Sequence, residues 1–132
     1  MTTSLFKLSA DERIKSRGLF DQLFESGKGF RIHPFRMVWL SSPFRSKNPV
    51  RIAVGAPKKN MRKAVHRNRM KRLMREAYRL QKEKLQLHLQ QKDQQLSVFI
   101  LYVGKELPEY EVVFEKIGTI INRLIKFADA NN

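Results

Sequence analysis

Apolar residues near the start of the chain recur with helical spacing. Positions i, i+1, i+4 and i+5 share one face of a helix, and here they are occupied by Leu19, Phe20, Leu23 and Phe24. Ser16 is well placed to cap this helix and Gly27 to end it. Ser9 with Glu12 has capping-box spacing and offers an earlier start, but the pattern favours Ser16.

Three segments with strand-like composition follow this helix. Phe30 and Ile32 belong to the first, Phe35 to Ser41 forms a largely buried second, and Val50 to Ala56 forms a third. The stretch between the second and third strands is rich in turn-forming residues. Because Pro57 cannot donate a ladder hydrogen bond, we expect the chain to leave the sheet there.

The second half of the chain predicts a helix, a strand and a helix. The first helix starts near Ala64, and its apolar face consists of Met70, Leu73, Met74, Ala77 and Tyr78. Residues 81–95 contain six Gln, which indicates a frayed helix end followed by a polar connection. Val98 to Val103 is apolar enough for a central strand, which Gly104 ends.

The last helix runs from Glu109 to about Phe127. Its broad apolar stripe contains Tyr110, Val113, Phe114, Ile117, Ile120, Ile121, Leu124 and Ile125. The element order is therefore αβββαβα. With no internal repeat or boundary, residues 1–132 are interpreted as a single α/β domain with its core at about 13–127.

Composition supports a folded domain and narrows its location. Hydrophobic residues make up 42% of the chain and include nine Phe, which is atypical of a disordered basic tail. The absence of cysteine excludes disulfides and thiolate metal sites. No apolar run approaches the roughly 18 residues that span a bilayer, and the N-terminus lacks a signal-peptide pattern. We expect a cytoplasmic protein that does not enter the membrane.

Positive charge is concentrated in one segment. Residues 58–79 hold ten of the 27 Lys and Arg residues and one acidic residue, Glu76, within a chain of net charge +15. This density indicates a polyanionic partner, and nucleic acid is the natural candidate.

The helical part of this segment presents a basic stripe. At 100° per residue, Asn68, Arg72, Arg75 and Arg79 lie within about 60° of one another, with Arg67 and Lys71 on one shoulder. Planar guanidinium groups one turn apart suit successive phosphates. Lys58, Lys59, Arg62 and Lys63 add charge before the helix. The alternative is a solvated face balanced by carboxylates, but only Glu76 is available, and we expect it to pair with Arg72.

Two further interpretations concern the aromatic residues and catalysis. Phe20 and Phe24 lie one turn apart and fit either core packing, which the pattern favours, or base stacking in a cleft; Trp39 and Phe35 share this ambiguity. His33, His66 and His88 are far apart, and the acidic residues do not cluster as a metal nuclease requires. The sequence therefore predicts a binding protein.

The bacterial ribonuclease P protein family has a signature that closely resembles residues 58–79, KKNMRKAVHRNRMKRLMREAYR. The specific part is the core Arg67, Asn68 and Arg69, followed by Lys71, Arg72, Arg75 and Glu76. The family also has a Phe-x-x-x-Phe pair in its first helix, which Phe20 and Phe24 match. The resemblance covers most of residues 13–127.

The resemblance implies a four-stranded mixed sheet in an α/β sandwich, with a left-handed βαβ crossover that departs from the usual right-handed rule. It also implies that the basic helix binds the catalytic RNA and that Phe20 and Phe24 line a cleft for the 5′ leader of precursor tRNA. The Mg²⁺ ions would belong to the RNA and substrate, and neither a protein metal site nor an obligatory protein partner is expected.

Two departures from the family pattern are visible. Many relatives carry Arg near the end of the fourth strand, where this chain has Tyr102, Val103, Gly104 and Lys105, and the Gln-rich segment is longer than expected. Two other functions stay open. A structural RNA-binding protein would associate with ribosomes, and a protein-only nuclease would cleave RNA with its own carboxylates.

Overall fold

The computed structural model describes residues 12–14, 17–44 and 46–130. Its elements are α1 (Arg17–Ser26), β1 (Lys28–Ile32), β2 (Phe35–Ser41), β3 (Val50–Gly55), α2 (Ala64–Gln91), β4 (Leu96–Tyr102) and α3 (Tyr110–Ala130). This order confirms the αβββαβα prediction. The two candidate helix caps, Ser9 and Ser16, lie outside the described residues.

The four strands form one mixed sheet in the order β1-β2-β4-β3. β2 pairs antiparallel with both β1 and β4, whereas β3 and β4 pair in parallel. The central position predicted for β4 is confirmed, because its apolar residues are covered from both sides of the sheet. α2 connects the parallel neighbours β3 and β4; the left-handed course of this crossover stays a prediction from the resemblance.

The two faces of the sheet carry different helices. Residues such as Met37, Trp39 and Ile52 point into the main core, which α2 and α3 cover. The alternating residues Val38 and Ala53 point to the opposite face, where α1 packs through a smaller cluster. Because α1 is short, it leaves part of this second face accessible.

The Gln-rich stretch does not behave as predicted. α2 continues without interruption to Gln91, so the prediction of a frayed end and polar connection over 81–95 is wrong. Leu85 and Leu89 are fully buried and extend the apolar face of α2 along α3. The Gln side chains are structural as well: Gln81 donates to the Phe114 carbonyl oxygen at 2.9 Å, and Gln95 accepts from the Phe44 amide at 2.8 Å.

One member of the predicted stripe on α3 is not part of the core. Phe114 is 37% exposed, whereas Val113 and Ile117 beside it are fully buried. The sheet and α2 together cover a narrower arc of α3 than the sequence pattern suggested, so Phe114 contacts Tyr110 at the margin, with ring centroids 6.0 Å apart.

Candidate nucleic-acid interface

A short turn brings the chain from the sheet into α2. The Pro57 carbonyl oxygen accepts hydrogen bonds from the amides of Asn60 and Met61 at 3.2 and 3.1 Å. The Met61 side chain is buried, and the Asn60 side-chain amide donates to the Val103 carbonyl oxygen at 3.1 Å. These contacts anchor the turn to the core and leave its basic side chains exposed at Lys58, Lys59, Arg62 and Lys63.

Arg67 differs from the other basic residues of α2 because its guanidinium has partners within the protein. Its Nη1 donates to the carbonyl oxygens of Met61 and Arg62 at 3.0 and 2.7 Å. The side chain therefore fastens the turn to the first turn of α2, where no side chain caps the helix. Arg67 consequently has a structural role that its sequence spacing did not indicate.

The predicted pair between Glu76 and Arg72 is wrong. Glu76 instead binds Arg79 one turn away, through both Nε and Nη2. The hydrogen bond from Glu76 raises the pKa of the Arg79 guanidinium. Both i+3 and i−4 neighbours are within reach of a helical carboxylate, and the structure selects the former. Arg72 stays exposed to solvent.

One side of α2 borders a groove that we name the basic groove. It lies between the first half of α2 and the chain entering α3, with a volume of about 740 Å³. Its basic and polar lining from α2 consists of His66, Asn68, Arg69 and Arg72. The opposite wall contains Leu107, Pro108 and Tyr110. A groove this open can follow a phosphate backbone with guanidinium groups along one wall.

The other side of α2 borders a smaller site, the aromatic cleft, of about 300 Å³. It is lined by Arg13, Ile14, Phe20, Ile52, Ala53, Val54, Arg75 and Tyr78. Arg75 therefore faces away from Arg69 and Arg72, and the single stripe predicted from the helical wheel is divided between two sites. Burial lowers the pKa of the Arg75 guanidinium, and the positive charge of Arg13 lowers it further.

The aromatic side chains that looked alike in the sequence separate into two groups. Trp39 and Phe35 are buried in the core. Phe24 is 57% exposed, and Phe20 is half-buried on the accessible face of the sheet. The rings of Phe20 and Phe24 both meet Phe99 of β4 edge to face, with centroids 5.2 and 5.6 Å apart.

Sequence reasoning missed three residues of this region. Phe99 belongs to a strand that reads as apolar throughout, so its position on the accessible face carried no signal. Arg13 reaches the cleft because residues 12–14 run beside β3, in a parallel bridge between Arg13 and Ile52. Tyr78 was assigned to the core, where it is buried, yet it also lines the cleft. Burial raises the pKa of its hydroxyl.

Metal-binding and membrane-spanning features were sought over the same residues. Within 12–14, 17–44 and 46–130, no three His, Asp or Glu side chains converge as ion ligands. No helix in the described part of the chain is both long and apolar enough to cross a bilayer.

Comparison with known proteins identifies the family. The Ribonuclease P family model matches residues 8–125. The chain is 39% identical over 109 residues to the ribonuclease P protein component of Porphyromonas gingivalis, covering 82% of this chain and 79% of that protein. It is 31% identical over 127 residues to that of Chlorobium phaeobacteroides, covering 89% and 87%.

Solved structures show the same fold. The Staphylococcus aureus RNase P protein superposes with a TM-score of 0.67 at 16% identity, covering 86% of this chain and 94% of that one. The Thermotoga maritima RNase P protein gives 0.64 at 22% identity, covering 85% and 96%. With the family model matching most of its length, the chain belongs to the ribonuclease P protein family, whose role lies in tRNA processing.

Proposed function

We propose that this protein is the RNA-binding subunit of a cytoplasmic ribonuclease P, which removes the 5′ leader of precursor tRNA to generate the mature 5′ end. The observation that carries the proposal is the division of the basic helix between two sites. Arg69 and Arg72 line the basic groove, whereas Arg75 lines the aromatic cleft with Phe20. Two sites of different chemistry suit two RNAs.

The basic groove is the surface we assign to the catalytic RNA. Guanidinium groups bind the two oxygens of a phosphate in a fork, and an exposed Asn can add a contact to a base edge or a 2′-hydroxyl. The assigned residues are Lys58, Lys59, Arg62, Lys63, Arg67, Asn68, Arg69, Lys71, Arg72 and Arg79. Arg67 contributes mainly by holding the turn, and Arg79 shares its charge with Glu76.

The aromatic cleft is the surface we assign to the single-stranded leader. Phe24 exposes a ring that a base can stack on, and Phe20 and Phe99 support it edge to face. Arg75 supplies positive charge at the other wall of the cleft for the leader backbone. Aromatic surface combined with guanidinium is the usual composition of sites for single-stranded RNA.

Catalysis is assigned to the RNA subunit. Phosphodiester hydrolysis with Mg²⁺ needs ions held at the reacting phosphate, and the described part of this chain brings no carboxylate cluster to either site. We assign the ions to phosphates of the RNA and the substrate. The protein would then act by binding, so that precursor tRNA and Mg²⁺ are held more tightly by the complex.

Reconstitution tests this function directly. The protein is combined with a bacterial ribonuclease P RNA, and cleavage of precursor tRNA is followed against Mg²⁺ concentration with and without protein. We expect the protein to lower the Mg²⁺ and substrate concentrations needed for cleavage at the mature 5′ end. No stimulation, together with co-purification on ribosomes, would favour a structural RNA-binding protein instead. Cleavage by RNA-free protein would favour a protein nuclease.

A further inference from the structure

A second stripe on α2 runs beyond the aromatic cleft. Arg75, Tyr78, Lys82 and Gln86 follow each other at spacings of three, four and four residues, so they lie along one face of the helix. Residues 12–14, which we name the N-terminal segment, lie along this face. The cleft end of the stripe holds Arg75, and the far end lies in the Gln-rich part of α2 that was expected to fray.

The N-terminal segment is fixed at its first residue by a buried ion pair. The Glu12 carboxylate accepts hydrogen bonds from Lys82 Nζ at 3.0 and 2.9 Å and from Gln86 Nε2 at 3.0 Å. Glu12 is 4% exposed and Lys82 2%. Paired buried charges of this kind contribute little net stability compared with apolar residues of the same size, but they require one arrangement of the chain.

The following residues attach the segment to the sheet. The Ile14 amide donates to the Ile52 carbonyl oxygen at 3.0 Å, and the Ile14 side chain packs with Leu19 and Leu23. Arg13, between these two anchors, lines the aromatic cleft together with Arg75. Glu12 and Ile14 thus determine where the guanidinium of Arg13 lies.

Two guanidinium groups beside one cleft repel each other in the absence of an anion. The effect is measurable at Arg75, where the positive charge of Arg13 adds to burial in lowering the pKa. An arrangement that is unfavourable alone but favourable with a phosphate between the two groups is that of a preorganised anion site. A contact elsewhere must hold Arg13 in place, and the Glu12–Lys82 pair is adjacent to it.

We propose that the Glu12–Lys82 ion pair positions Arg13 beside Arg75, so that both guanidinium groups face one phosphodiester of single-stranded RNA in the aromatic cleft. Lys82 and Glu12 are positioning residues, since neither lines the cleft. This inference rests on the function proposed above. It gives the extended α2 a purpose, because the helix must continue past Tyr78 to present Lys82 and Gln86 to the segment.

The test replaces both charges together. Removing one partner would leave an unpaired buried charge, whereas Glu12→Leu with Lys82→Met exchanges the pair for apolar side chains of similar size, which preserves folding. The holoenzyme, reconstituted with a bacterial ribonuclease P RNA, is titrated with precursor tRNA and with the same tRNA lacking its leader. We expect affinity for the leader-bearing RNA to fall about tenfold, as for the loss of one charge-assisted contact.

Three controls separate positioning from general loosening. Affinity for the leaderless tRNA and for the catalytic RNA should stay at the wild-type value. Lys84→Met, an exposed lysine that bonds Asn122 on α3, should leave leader affinity unchanged. In an Arg13→Ala background, the double replacement should cause no further loss, because Lys82 acts through Arg13; an additive loss would overturn the proposal.

The outcomes also distinguish this inference from the function on which it rests. If wild-type holoenzyme binds both tRNAs equally, the proposed leader site fails and the positioning role with it. If wild-type holoenzyme prefers the leader-bearing RNA and the folded double variant keeps the whole preference, only the positioning role is overturned.

Discussion

The ring of Phe24 meets the ring of Phe99 edge to face at a centroid distance of 5.6 Å, yet Phe24 is still 57% exposed. Phe24 comes from α1 and Phe99 from β4, so the contact joins a helix to the centre of the sheet. An aromatic ring held from one side and open on the other is suited to stacking.

Replacing this ring should affect RNA more than folding. We expect Phe24→Ala to weaken holoenzyme binding of leader-bearing precursor tRNA by about 1–3 kcal/mol, the contribution of one stacked base. Thermal unfolding should change little, since most of the side chain is exposed. The neighbouring Leu23→Ala is the matched control, because Leu23 is fully buried and its truncation should destabilise the fold by about 2–5 kcal/mol. Equal destabilisation by both changes would show that Phe24 is a core residue.

Arg67 and Arg72 should respond differently to truncation. Arg67→Ala removes two hydrogen bonds to backbone carbonyl oxygens and should lower the free energy of unfolding by about 1–2 kcal/mol, measured by urea denaturation. Arg72→Ala should leave unfolding unchanged. It should instead weaken binding of the catalytic RNA and reduce the salt slope by about 0.7–0.9 for the lost phosphate contact. A stable Arg67→Ala protein would contradict the structural role of Arg67.

The Glu76–Arg79 pair makes a prediction of opposite sign. Glu76→Gln removes the one carboxylate of the basic segment and releases Arg79 from its charged partner. We expect tighter binding of the catalytic RNA at low salt, with a salt slope steeper by about 0.7–0.9 if Arg79 then reaches a phosphate. The midpoint of unfolding should change little, because the pair is exposed to solvent. Weaker RNA binding would mean that Glu76 itself supports the interface.

The far end of α2 should be part of the cooperative core. Leu89 is fully buried against the rest of the core, so Leu89→Ala should destabilise the protein by about 2–5 kcal/mol. Leu87, two residues earlier, is 51% exposed, and Leu87→Ala should change the free energy of unfolding by less than about 0.5 kcal/mol. Urea denaturation of the two variants measures both values. A near-neutral Leu89→Ala would restore the frayed-end interpretation.

The sequence was a good guide where a residue's surroundings follow from local pattern. The uniformly apolar run at Val98 to Val103 required cover on both faces, and this predicted the central strand. The end of α2 was missed because six Gln obscured the continuing four-residue spacing of Leu85 and Leu89. Only packing against α3, which follows much later in the chain, shows that this spacing matters.

The candidate site shows the same division between local and distant information. A helical wheel gives the direction of Arg75 around α2 but not what stands opposite, so it could not separate Arg75 from Arg72. The second wall of the cleft is supplied by Arg13, which arrives through a bridge to β3. Pairing between segments so distant in sequence leaves no periodic signal in either of them.

The most direct test of the two-site assignment uses the absence of cysteine from the chain. A photocrosslinker is attached to Asp21→Cys, one helical turn before Phe24, or to Val65→Cys, which lines the basic groove and is 70% exposed. Each protein is assembled with catalytic RNA and leader-bearing precursor tRNA, irradiated, and its crosslinked nucleotides are mapped. We predict that position 21 crosslinks to the leader and position 65 to the catalytic RNA. Crosslinks from position 21 to catalytic RNA alone, or from position 65 to the leader, would contradict the account.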